Sequence, residues 1–149
     1  MNFTSFRTAL ETLEKSIAIT SPAIKQVKRV YWGAPPNAIT DLPCVVNALS
    51  ESDRQLGFGS RDQRLKISVQ LLAAKALADD AQSSIIATAM WFAAKDAFDA
   101  DLTISGTVSL SVLQGNDPTA PVLLNVGGIM YYGFDATLEV QDYEAFTFG

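Results

Sequence analysis

RLKISVQLLAAK, Arg64 to Lys75, sets Leu65, Ile67, Val69 and Leu71 against Lys66, Ser68 and Gln70 before turning apolar on both sides. A period of two is what a strand with one face on a core produces, so this stretch reads as a sheet strand. A helix follows it. In SIIATAMWFAAKDAFDAD, Ser84 to Asp101, the polar residues Ser84, Thr88, Lys95 and Asp99 fall in one narrow row, while Ile85, Ile86, Met90, Trp91, Phe92 and Phe98 spread over most of the remaining circumference. Asp79 opens it, with Gln82 in the capping-box position and Asp80 where the helix dipole favours a negative charge. A helix apolar nearly all round must be covered on more than one side. A sheet covers one side and another helix a second. The rest is covered either within the chain or by another subunit.

On the N-terminal side of the strand, Phe6, Ala9, Leu10, Leu13 and Ile17 recur at helical spacing, which predicts a first helix from about Ser5 to Ile19, ended by Pro22. Strand-like runs at Val27–Trp32 and Cys44–Leu49 bracket a segment stiffened by Pro35, Pro36 and Pro43. Residues 50–64, SESDRQLGFGSRDQR, are rich in Ser, Gly and charge and read as an exposed, mobile loop, longer than a tight hairpin needs.

On the C-terminal side, LTISGTVSLSV alternates Leu102, Ile104, Val108, Leu110 and Val112 with Thr103, Ser105, Thr107, Ser109 and Ser111, predicting a strand with one core face and one hydroxyl-lined face. QGNDPTAP reads as a turn-rich connection, PVLLNV as a short strand and Gly127-Gly128 as a hinge or bulge. In the last strand, IMYYGFDATLEV, Met130, Tyr132, Phe134, Ala136, Leu138 and Val140 share a face. The order predicts a single α+β domain over residues 1–149: a mostly antiparallel sheet with two main helices packed on one face.

Composition narrows the chemistry. With 149 residues and 48% hydrophobic content, the chain suits one core that buries roughly two thirds of the unfolded surface. Cys44 is the only cysteine, so no intrachain disulfide forms, and a reducing compartment is compatible. The N-terminus lacks a secretory pattern, and the longest apolar stretch, Ile85 to Ala94, is about half of what a membrane crossing needs. The expectation is a soluble protein. Histidine is absent, which removes the commonest general base, the usual metal ligand and every imidazole-dependent triad.

The net charge of −5 hides a gradient, since residues 1–77 hold ten Lys/Arg against six Asp/Glu and residues 78–149 hold one against ten. Opposite patches would suit head-to-tail contact between copies; two solvated faces with no partner are the alternative. A duplex-coating surface is not expected from an acidic chain.

Reactive candidates are few. GFGS, Gly57 to Ser60, lacks the GK[ST] ending of a phosphate loop and reads as a loop tip. Asp96, Asp99 and Asp101 do not match a calcium loop and read as a solvated helix end. Cys44, in CVVNAL, reads as a small buried hydrophobe with no histidine to activate it. Arg54, Arg61 and Arg64, with Phe58 among them, form a basic and aromatic stretch suited either to solubility or to a contact with a partner or a phosphate backbone.

In order, FRTALETLEKSI, the strand–proline loop–strand of VKRVYWGAPPNAITDLPCVVNAL, RLKISVQLL before a helix, DAFDADLTISGTVSLSV and IMYYGFDATLEVQ resemble the tail terminator (tail completion) proteins of tailed bacteriophages. The resemblance spans nearly the whole chain and consists of hydrophobic patterns, without a catalytic signature. It implies a virion protein of the tail and neck, assembled in the host cytoplasm: a ring, commonly hexameric, that caps the tail tube, ends its polymerisation and joins the tail to the head connector. Another neck component, a head closure or tube protein, is the near alternative, and a small ligand-binding or hydrolytic domain using the three aspartates a distant one. The implied partners are further copies of the chain, the tube protein and the connector or closure protein, with DNA passing through the lumen without sequence-specific binding. No cofactor, metal or catalytic residue is expected. The residues assigned to contacts are Trp32, Arg54, Phe58, Arg61, Arg64, Met90 and Trp91.

Overall fold

Helix α1 (Phe3–Lys15) begins where the Asn2 side chain accepts a hydrogen bond from the Ser5 amide, and it buries Phe6, Leu10 and Glu14. The computed structural model describes residues 1–36, 39–76, 81–115 and 122–145. α1 stops at Lys15 rather than Ile19, because the Lys15 and Ile17 carbonyls accept hydrogen bonds from the Gln26 side chain and the Val27 amide instead of continuing the helix. Ile17 and Ile19 are still buried, on a short ladder of β1 (Ala18–Ile19) with β2 (Lys25–Gln26). The four-residue spacing of Ile17 from Leu13 mimics a helical continuation.

The main sheet contains β3 (Arg29–Trp32), β4 (Cys44–Gly57), β5 (Ser60–Lys75), β6 (Leu110–Gln114), β7 (Val122–Val126) and β8 (Ile129–Ala145). Its order is β3-β4-β5-β8-β6, with β7 also on β8, and among the described residues only the β3–β4 pair is parallel. Helix α2 (Ala81–Asp99) connects β5 to β6. The molecule is α+β, as the sequence order predicts. The predicted helix start at Asp79 and Asp80, and residues 116–121 of the predicted turn, lie outside the described residues.

Both helices share one hydrophobic cluster with one face of the sheet, where Val45, Leu65, Ile67, Val69, Leu71, Phe134, Ala136, Leu138 and Val140 point. The alternation of β5 and of β8 from Phe134 onward is therefore as predicted. A smaller cluster of Cys44, Val46, Leu72, Leu124 and Tyr131 closes one end of the opposite face, under Ile39 and Leu42. That is the work of the proline segment: a parallel strand pair needs a crossover, and this one carries apolar cover across the sheet.

Three predictions are corrected. Residues 50–64 are not a loop: they belong to the β4–β5 hairpin, paired from Cys44↔Leu72 out to Gly57↔Ser60 around a turn of Phe58 and Gly59, whose φ is +86°. Residues 102–109 are not a strand. Ile104 and Ser105 have φ of 47° and 55°, and the Asp101 carboxylate accepts from the Ser105 amide, closing a turn. In β6 the predicted faces are reversed: Ser111 and Leu113 are buried, with the Ser111 hydroxyl donating to the Leu102 carbonyl, while Leu110 and Val112 are exposed. Gly127 and Gly128, at φ 61° and 83°, form a two-residue hairpin turn, which requires positive φ at both positions.

Candidate functional site

The crossover strand β3 pairs with β4 only as far as Trp32↔Asn47. From Ala48 to Gly57 the outer edge of β4 has no strand beside it among the described residues, and every side chain on that run is exposed. β5 and β8 continue alongside, Ser60↔Ala145 to Arg64↔Gln141, so the end of the sheet is a three-stranded arm that extends past the helices' cover. The arm ends in a fully exposed Phe58, with Leu56 70% exposed. An unpaired run of backbone donors and acceptors with apolar side chains at its tip is a natural site for contact with another chain.

The predicted basic character of this region does not survive folding. Register puts Arg54, Leu56, Arg61, Asp142 and Glu144 on one face and Asp53, Asp62, Arg64 and Gln141 on the other, so the three arginines do not converge. Arg61 is ion-paired with Glu144, and Arg64 with Asp62 at 3.3 Å. Lys66 stands 3.3 Å from Glu51 and 4.0 Å from Glu139. Because β5 lies between β4 and β8, cations of the N-terminal half meet anions of the C-terminal half within one sheet.

The helix contacts are corrected too. Met90 and Trp91 are enclosed within a single copy, 0% and 1% exposed, by β5, β8, β6, β1 and α1, all of which pack on α2. Neither can meet a neighbour. The exposed row is Gln82, Ile85, Phe92, Asp96 and Asp99, while Ser84, Thr88 and Lys95 are half-buried. Ile85 is 57% exposed and Phe92 51%, leaving a narrower apolar strip than the sequence suggests. Trp32 is half-buried under α1, with Phe3 edge-on at 5.9 Å and the Arg7 guanidinium 5.4 Å from its ring centre.

Asp96 and Asp99 lie on the solvent side of α2, and Asp101 caps the following turn. Among the described residues, no group of three or more Asp, Glu or Cys side chains is placed to hold a metal ion. An open depression of about 740 Å³ runs along Ser50, Lys66, Lys95, Gln114, Asp135 and Glu139. Cys44 is buried, and its thiol is pushed up to about 12, first by burial and then by the Asp41 charge, so it is a poor nucleophile. Comparison with protein-family models and with curated proteins finds no match.

Proposed function

We propose that this chain is a structural component of a bacteriophage neck: a tail terminator that forms a ring, of six copies by resemblance, caps the tail tube and joins it to the head connector. The observation that carries this reading is the arm. Its open β4 edge and its apolar tip at Leu56 and Phe58 are contact surfaces, whereas the reactive side chains are scattered, ion-paired or buried. A protein whose function is to be adjacent to other proteins needs the first and not the second.

In this reading capping is geometric. The ring matches the tube on one face and offers no repeat of the tube surface on the other, so addition stops. Each copy meets its neighbour through two different surfaces, as a closed heterologous ring requires, and the exposed strip of Ile85 and Phe92 on α2 is a second surface available for this. DNA crosses the lumen without a sequence-specific contact.

Electron microscopy of particles assembled without this protein tests the role. Tails of uncontrolled length support the terminator. Tails of normal length with leaking or unfilled heads replace it with a head closure protein, and normal infectious particles overturn both.

A further inference from the structure

Glu14, in the last turn of α1, is wholly buried beneath the helix, and Asn47 of β4 is buried with it. Asn47 Nδ2 donates to Glu14 Oε1 at 2.6 Å. The remaining oxygens of the pair, Glu14 Oε2 and Asn47 Oδ1, are both buried without a hydrogen-bond partner. Among the described residues no lysine or arginine forms an ion pair with Glu14. An ionised carboxylate accepts and never donates, so a charged Glu14 leaves both oxygens unsatisfied. A single proton on Oε2 supplies the missing donor, and Asn47 Oδ1 is the acceptor it lacks.

We propose that Glu14 is held as a neutral acid in the folded protein and donates its proton to the Asn47 carbonyl, forming a reciprocal acid–amide pair that latches the end of α1 to β4 and opens when the proton leaves. One proton then satisfies two of the buried atoms that otherwise have no partner. The surroundings favour the neutral form. Burial pushes the Glu14 carboxyl up to about 8 against the opposing effect of the Asn47 hydrogen bond, and the nearby Glu11 charge adds to the rise. Glu14 also sits at the C-terminal end of α1, where the helix dipole disfavours an anion.

Among the described residues, no cation is ion-paired with Glu14. Glu11 of α1 is the charged neighbour, and its own partner is Arg7, one turn back. β3 contributes Val30 and Trp32, β4 contributes Val45 beside Asn47, and β5 contributes Val69, the register partner of Asn47. On α2, which packs on α1, Lys95 lies 5.8 Å from the Trp91 ring centre, and Asp96 and Asp99 face solvent. The segment held by the latch is substantial, since α1 supplies Phe6 and Leu10 to the core and covers Trp32 through Phe3 and Arg7.

The test is urea unfolding of the full chain and of Glu14→Gln between about pH 5 and pH 9. Glutamine presents an N–H where the acid presents O–H, so it keeps the reciprocal pair and cannot titrate. For the wild type the unfolding constant should rise by up to about tenfold per pH unit towards pH 8 and then flatten. The variant should lack that rise and match the wild type at low pH within about threefold, a range set by the usual scatter of conservative changes. An equal pH slope in both proteins overturns the proposal. The infrared difference spectrum of the wild type between about pH 6 and pH 9 needs no variant: loss of a neutral-carboxyl carbonyl band supports the latch, and its absence from the spectrum overturns it.

Discussion

Trp91 of α2 stands edge-on to Phe134 of β8, with ring centroids 4.6 Å apart and an interplanar angle of 62°. The pair fixes the helix to the sheet midway along β8, and the backbone makes room for it at Gly115, where a Cβ would come within 2.7 Å of Trp91 Cη2. Removing the larger ring leaves a cavity that no neighbouring side chain fills. Trp91→Ala should cost about 3–5 kcal/mol of stability, measured by urea unfolding.

Two consecutive residues of the same helix separate folding from contact. Phe92 is 51% exposed and points away from the cluster that holds Trp91. Phe92→Ser should leave stability within about 0.5 kcal/mol, the usual range for surface positions. If the helix strip meets another copy, the variant should shift assembly towards smaller species in light scattering at micromolar concentration. Unchanged assembly would remove α2 from the contact.

Gly133 has a different reason to be glycine. A Cβ there would lie 1.8 Å from the Leu71 carbonyl oxygen, a backbone atom that cannot swing aside, next to the irregular register of β5 between Leu72 and Ala74. Gly133→Ala should therefore destabilise by about 2 kcal/mol or more through overpacking, with a fall in thermal midpoint as the readout. A midpoint equal to wild type would mean that the strand pair opens without cost.

On the arm, Arg61 and Arg64 belong to partly exposed ion pairs with Glu144 and Asp62. Such pairs contribute about 0–1 kcal/mol each, so replacing both arginines by serine should change stability by no more than about 2 kcal/mol in total. Phe58→Ser should cost still less, because the ring touches no core. If the arm carries the partner contact, all of these variants fold normally and yield fewer joined particles. Unchanged particle yield would exclude the arm from attachment.

The arm also shows where sequence reading stops. Residues 65–71 were legible as a strand because one of their faces is buried, which is what creates a period of two. Past the irregularity at Ser50, residues 51–57 pair without a break, but both their faces meet solvent, so selection for burial leaves no alternation and only composition remains. The opposite error occurs at Leu102–Ser109. Its alternation is genuine, yet the Asp101 carboxylate and the positive φ of Ile104, Ser105 and Gly106 build a turn that places Ile104 and Val108 in the core without a strand. For α2, the apolar circumference signalled cover on several sides, and the chain supplies nearly all of it. Burial of Met90 and Trp91 by α1, β1 and the sheet depends on long-range placement that no helical wheel contains. Glu14 is not among the apolar positions whose spacing predicts the first helix, and nothing local connects it to Asn47, thirty-three residues away.

Cys44 reports on the proline segment. It lies in the smaller cluster with Val46, Leu72 and Tyr131, beneath Ile39 and Leu42, and its thiol is pushed up to about 12. A thiol raised that far is almost entirely protonated at neutral pH, and reagents cannot reach it without displacing the segment above. In native buffer, labelling by an aromatic disulfide should thus proceed at least about a hundredfold more slowly than in denaturant, and its pH dependence should lack the inflection near the ordinary thiol value. Urea below the unfolding transition separates two ways of exposing it. Labelling that rises only with global unfolding means that the crossover is part of the cooperative fold. Labelling that begins earlier means that the crossover segment carrying Ile39 and Leu42 lifts from the sheet on its own, opening the face those two residues cover while the helices stay in place.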